Sequence, residues 1–151
     1  MSVRSYISPL LKKHASGLGS VVKSIDVIDE TINLTTDSIT SIASVALGAG
    51  VWLLALQSKF IFKEALIYGL ELQLNSVSEE NVNLVYSKGI QSGFSSVSKI
   101  SENVAQYDTV LVTLSKHTVL EYVVSGSFEN NIYVGIPNSV NQCYIIATKL
   151  A

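Results

Sequence analysis

Between Leu18 and Leu53 the apolar residues fall on a seven-residue repeat. One series reads Leu18, Ile25, Ile32, Ile39, Ala46 and Leu53; the other reads Val21, Ile28, Thr35, Ile42 and Ala49. Alternating steps of three and four keep such positions on one side of a helix. Held over this length, the period predicts a long helix that supercoils against partner helices. Ile in both series favours three or four strands over two, so a homotrimer is the expected state. The oligomerisation seam would comprise Leu18, Val21, Ile25, Ile28, Ile32, Ile39, Ile42, Ala46, Ala49 and Leu53.

The same segment carries contrary signals. It is rich in Ile, Val, Thr and Ser, whose branching at Cβ or side-chain hydrogen bonding makes them middling helix formers. Thr31-Ile32-Asn33-Leu34-Thr35 alternates as a strand would. An isolated peptide of this composition is mostly unfolded, so its helicity has to come from packing. One amphipathic helix lying on its own domain is the alternative to self-association.

From Val45 to Leu56 the chain is apolar on every side of a helix, which fits burial among neighbouring subunits. Membrane insertion of Ile42 to Leu56 is the competing reading. The run falls short of the 18 or so residues of a spanning helix, and Lys59, Lys63 and Glu64 follow at once.

From Tyr68 onward apolar and other residues alternate, the mark of a half-buried strand. Ser78-Glu79-Glu80 could cap a short helix bearing Val82, Val85 and Tyr86, and Phe94 to Tyr107 is spaced for another; strands are the alternative for both. Thr109–Leu114, Thr118–Val124, Asn131–Ile136 and Gln142–Thr148 read as strands, with a turn at Ser125-Gly126. Short connections suggest an antiparallel sheet or small sandwich, with the last strand at an edge. The expected class is therefore α+β. Residues 1–19 would form a leader with a short helix, 20–59 the long oligomerisation helix, and 60–151 a β-rich domain.

Composition narrows the function. Of the 151 residues, 48% are hydrophobic and only 15% charged, below the usual quarter or so of a globular chain. Weak charge protection suits a subunit held inside an assembly. A net charge of −2 leaves no footprint for nucleic acid, and the one basic cluster, Arg4, Lys12, Lys13 and His14, reads as a solvated helix face. The N-terminus lacks the pattern of a secretory signal. Cys143, the single cysteine, sits in the apolar run Cys143-Tyr144-Ile145-Ile146-Ala147 and reads as a buried, inert thiol. The two histidines, His14 and His117, lie far apart and share no metal-ligand spacing, and His117 reads as an exposed turn residue. No cofactor and no catalytic residue is expected. The tyrosines and phenylalanines of the second half suit a small β core with Tyr at its rim. These features point to a non-enzymatic structural subunit. The expected setting is a virus or phage particle, as a minor capsid, fibre, neck or tail component. A membrane-active protein is the alternative, and a cytoplasmic location is the fallback to the virion.

Overall fold

The computed structural model describes residues 18–26, 31–77, 82–90, 99–135 and 143–151. Within them the chain is built of antiparallel strands: β1 (Val21–Lys23), β2 (Ile25–Asp26), β3 (Ile32–Asn33), β4 (Thr40–Leu47), β5 (Gly50–Val77), β6 (Val82–Gly89), β7 (Ile100–Leu114), β8 (Thr118–Val134) and β9 (Tyr144–Lys149).

The long helix does not form. The segment expected as a supercoiled helix over 20–59 contains β1 to β4 and the first part of β5, so the α+β class and the coiled coil are both corrected, among the described residues, to an all-β fold. The physical reason lies in the repeat itself. Seven is odd, and a strand reverses face at every residue, so positions seven apart land on opposite faces. Ile42 is fully buried, whereas Ala49, seven residues on, is exposed. The β-branched residues that make a poor helix make good strands, and here they win. The short helix expected around Ser78 to Tyr86 is instead β6 from Val82, and the one expected over Phe94 to Tyr107 is β7 from Ile100, its earlier part lying outside the described residues. The expected turn at Ser125-Gly126 is the middle of β8, which runs unbroken to Val134. The last strand is not an edge: β9 lies between β1 and β5.

β5 is the spine. Its first half pairs with β7 on one edge and with β9 and the end of β8 on the other. Its second half pairs with β8 and with β6. The strand turns from one layer to the other through two irregularities, between Lys63 and Leu66 and between Ile67 and Gly69. Each adds a residue and flips the parity of the buried side chains. Trp52, Leu54, Leu56, Phe60 and Phe62 point inward, then Ala65 and Ile67, then Leu70, Leu72 and Leu74. At the first bend Glu64 has a positive φ of 50°, and its neighbour across the sheet, Asn130, one of 69°. Asn130 Nδ2 donates to the Glu64 carbonyl at 2.7 Å, and the Glu64 amide donates to Ser101 Oγ at 2.9 Å.

The result is one antiparallel sheet curled into two facing layers around a single core. β1 and β2 form almost one strand, joined at Ser24, that crosses from β9 in one layer to β4 in the other and closes one side. Ser24 pins this crossing: its amide donates to Ile145 O at 2.8 Å and its Oγ accepts from the Ile145 amide at 2.9 Å. On the opposite side, β6 and β7 are the outermost strands of their layers.

Candidate interaction surface

The inner faces carry the core, so function has to be sought on the outer faces. Strand register defines them, because directly paired residues share a face. In the layer made by β1, β9, β5 and β7, one outward row reads Val21, Thr148, Leu53, Leu111. The next reads Lys23, Ile146, Ala55, Thr109, and the third Tyr144, Gln57, Tyr107, in which Gln57 is buried. Val51 with Thr113, and Lys59 with Ala105, bound the patch above and below. Val21, Tyr107 and Leu111 are each 63% exposed and Leu53 is 39% exposed. The only charges in these rows are Lys23 and Lys59, with no carboxylate. From strand and residue spacings the patch covers on the order of 500 Å². Its exposed apolar members are interleaved with Thr148, Thr109 and Lys23, and exposed hydrophobics gathered on one face in this way mark a candidate interaction site.

The outer face of the other layer is different. Its rows read Ala46, Val119, Val77, Val82, then Ser44, Glu121, Asn75, Leu84, then Ser41, Val123, Gln73, Ser87, then Ser125, Glu71, Gly89, with Val82 and Leu84 exposed and Val123 buried. Here carboxylates, amides and hydroxyls meet water, as they do on a half-solvated antiparallel sheet. The carboxylates Glu71 and Glu121 lie on this face, whereas the rows of the first layer carry none.

The expected seam residues scatter over this frame. Val21 and Leu53 come together in one row of the apolar face, bridged by Thr148. Leu18, 67% exposed, lies in the turn before β1. Ile42 is in the core and Ile32 packs half-buried against it. Ile39, Ala46 and Ala49 are exposed at or beside β4. Ile25 lies in β2 paired with Ser44, and Ile28 falls outside the described residues, as does the basic cluster Arg4, Lys12, Lys13 and His14. Tyr107, Leu111, Tyr144 and Ile146 complete the face without belonging to the repeat. Their signal was the doubling of apolar residues within strands, Leu53-Leu54, Leu111-Val112 and Ile145-Ile146, because a strand apolar at consecutive positions is covered on both sides.

A polar cluster lies on the open side, between the layers. Asp108 of β7 points inward; its Oδ1 accepts from Tyr86 Oη at 3.0 Å and from Lys88 Nζ at 3.1 Å, both on β6. Its Oδ2 is buried with no hydrogen-bond partner among the described residues. Burial, then the bond to Asp108, raises the Tyr86 pKa. Deeper in, the hydroxyls of Tyr122 and Ser58 lie 3.4 Å apart, and burial pushes the Tyr122 phenol well above its ordinary range. The Cys143 thiol is buried and pushed up to about 11 by burial, as an inert thiol would be. His117 is exposed between β7 and β8. Among the described residues no group of three or more His, Cys, Asp or Glu is arranged to hold a metal, and no helix is long and apolar enough to cross a membrane. The residues Ile42 to Leu56, considered for helical insertion, lie in β4, β5 and the link between them.

With this geometry established, solved structures give a context. The chain shares its fold with TNF proteins. Eiger TNF from S. frugiperda matches with a TM-score of 0.62 at 12% identity, over 87% of this chain and 92% of that one. Murine APRIL at pH 8.5 matches with a TM-score of 0.55 at 10% identity, over 86% of this chain and 98% of that one. No family model and no curated protein matches the sequence. At such identities the likeness is one of fold.

Proposed function

We propose that the chain is a non-enzymatic structural subunit that self-associates through the outer face of β1, β9, β5 and β7. The observation that carries this is the gathering of exposed Val21, Leu53, Leu111 and Tyr107 on one outer face whose rows hold no carboxylate. Copies meeting head to tail close a ring at three at the smallest, so a homotrimer is the simplest product. The setting we propose is a virion, as a minor capsid, fibre, neck or tail component. Its support is the low charge content and the curled antiparallel architecture, a type that viral capsid domains use; this part rests on fold-level analogy.

Sedimentation velocity on matched variants tests the self-association. Leu53→Asp places a charge in the middle of the apolar face and removes a side chain whose burial contributes roughly 1.5–3 kcal/mol. It is expected to sediment as a monomer while keeping its β circular dichroism. Ser44→Asp, on the polar face, is expected to sediment like the parent. A Leu53→Asp protein that assembles like the parent would remove the apolar face from the proposal.

A further inference from the structure

Among the described residues β7 pairs along one edge only. Its partner is β5, from Ile100 against Ala65 to Leu114 against Gly50. The other edge presents backbone donors and acceptors along a strand of 15 residues. Proteins usually blunt such an edge with Pro, with a bulge, with charged side chains including inward-pointing ones, or by keeping it short. β7 is long and has no Pro. Its charged residues are Glu102 and Asp108; Asp108, turned inward onto Lys88, guards the middle of the edge, and no charge follows it as far as Leu114. The six residues Thr109-Val110-Leu111-Val112-Thr113-Leu114 carry no charge and are mostly β-branched, the composition that pairs most readily with another strand. A groove of about 370 Å³, lined by Ser76, Val85, Leu111, Leu114 and Lys116 among others, opens beside this end of the strand.

We propose that the free edge of β7 is a second contact, at which two copies of this chain pair β7 against β7, antiparallel, about a twofold axis at one of the outward positions Thr109, Leu111 or Thr113. The occupant is a second copy because the segment complements itself. Antiparallel pairing lays an uncharged stretch on the same uncharged stretch, with no like charges opposed, and every edge N–H finds a carbonyl. The contact is continuous with the apolar face, since Leu111 and Thr109 belong to both. It differs in kind, because backbone hydrogen bonds at the rim hold it and not side chains on the face. Face contacts close a small ring; edge contacts join one ring to the next.

A cysteine scan separates the two. In a Cys143→Ala background, Ala105→Cys, Tyr107→Cys, Thr109→Cys, Leu111→Cys, Thr113→Cys and, on the face away from this edge, Leu53→Cys are oxidised singly and resolved without reductant. Residues directly opposed in antiparallel strands have Cα atoms about 4.5–5.5 Å apart, within disulfide reach, and a twofold axis brings only the position nearest it onto itself. The expected result is rapid cross-linking that peaks at one of Thr109→Cys, Leu111→Cys or Thr113→Cys and falls by at least tenfold two residues away. No cross-link at any β7 position, or equal cross-linking at all of them, overturns the proposal. Cross-linking confined to Leu53→Cys also overturns it, and leaves the face contact standing.

Discussion

Gly126 lies where β8 crosses β5, opposite Leu70, and next to it Ser127 stands opposite Gly69. A Cβ built on Gly126 would fall on the carbonyl oxygen of Gly69, inside any van der Waals contact, and 2.8 Å from the Cα of Leu70. Both obstacles are backbone, so no side chain can swing aside. On its other flank the Gly126 carbonyl accepts the Asp37 amide at 2.7 Å, which ties the turn before β4 to the same spot. Gly126→Ala therefore has to push the two central strands apart. Overpacking of this kind costs about 1–3 kcal/mol. Lost pairing between β5 and β8 adds to it, so about 3 kcal/mol is expected. For a chain of this size each kcal/mol moves Tm by roughly 2–4 °C, giving a fall of about 6–12 °C. Gly48→Ala and Gly89→Ala are the controls. An added Cβ meets nothing within 4 Å at either site, and neither has a positive φ. They should be neutral or gain a few tenths of a kcal/mol by restricting the unfolded chain. Thermal melts by circular dichroism, with urea melts for the free energy, give the comparison. A Gly126→Ala protein within 0.5 kcal/mol of the parent, on the order of the effect of an ordinary surface change, would refute the close crossing of these strands.

Stability should fall at alkaline pH. In the unfolded chain the Cys143 thiol ionises near its ordinary 9.0, but in the fold it stays protonated to about 11, and Tyr122 is raised as well. Above pH 9 the unfolded state therefore binds fewer protons than the folded one, and stability declines with rising pH. Tm measured from pH 8 to 10.5 should drop, and Cys143→Ala should flatten part of the drop; a flat parent profile would count against the burial of both groups. At the open side, Lys88→Met leaves the Asp108 carboxylate with Tyr86 as its one remaining partner among the described residues. It should destabilise by about 1–3 kcal/mol, and adding Asp108→Asn should recover most of the loss in a double-mutant cycle read by urea melts.

How much of this was legible in the sequence depends on the period. Alternation from Tyr68 to Asn75 marked the second half of β5, because its inward Leu70, Leu72 and Leu74 face outward Glu71, Gln73 and Asn75. The strand at Thr109–Leu114 was equally plain from its β-branched content. The first half of β5 was obscured for the opposite reason. Val51 to Leu56 is apolar at every position, and such a run fits a buried helix as well as a strand covered on both sides. The seven-residue series runs through it with the spacing of a helix stripe, although Ile39, Ile42 and Ala46 lie in and beside one strand with Ile42 alone facing the core. The two irregularities in β5 shift the inward parity at Glu64 and again near Gly69, and neither leaves a pattern that alternation alone could reveal. The apolar face was half visible. Val21 and Leu53 were named for self-association, but Tyr107, Leu111, Tyr144 and Ile146 join them only through the pairing of β7 and β9 with β5, contacts that span the chain.

Hydroxyl-radical footprinting of the protein, at concentrations spanning its assembly, tests the proposed contact face most directly. The prediction is that Leu53, Tyr107, Leu111 and Val21 lose reactivity together as concentration rises, while Leu84 and Val82 on the other layer, 59% and 65% exposed, keep theirs. Uniform reactivity of Leu53, Tyr107 and Leu111 at every concentration, at the level their exposure sets, would contradict the account.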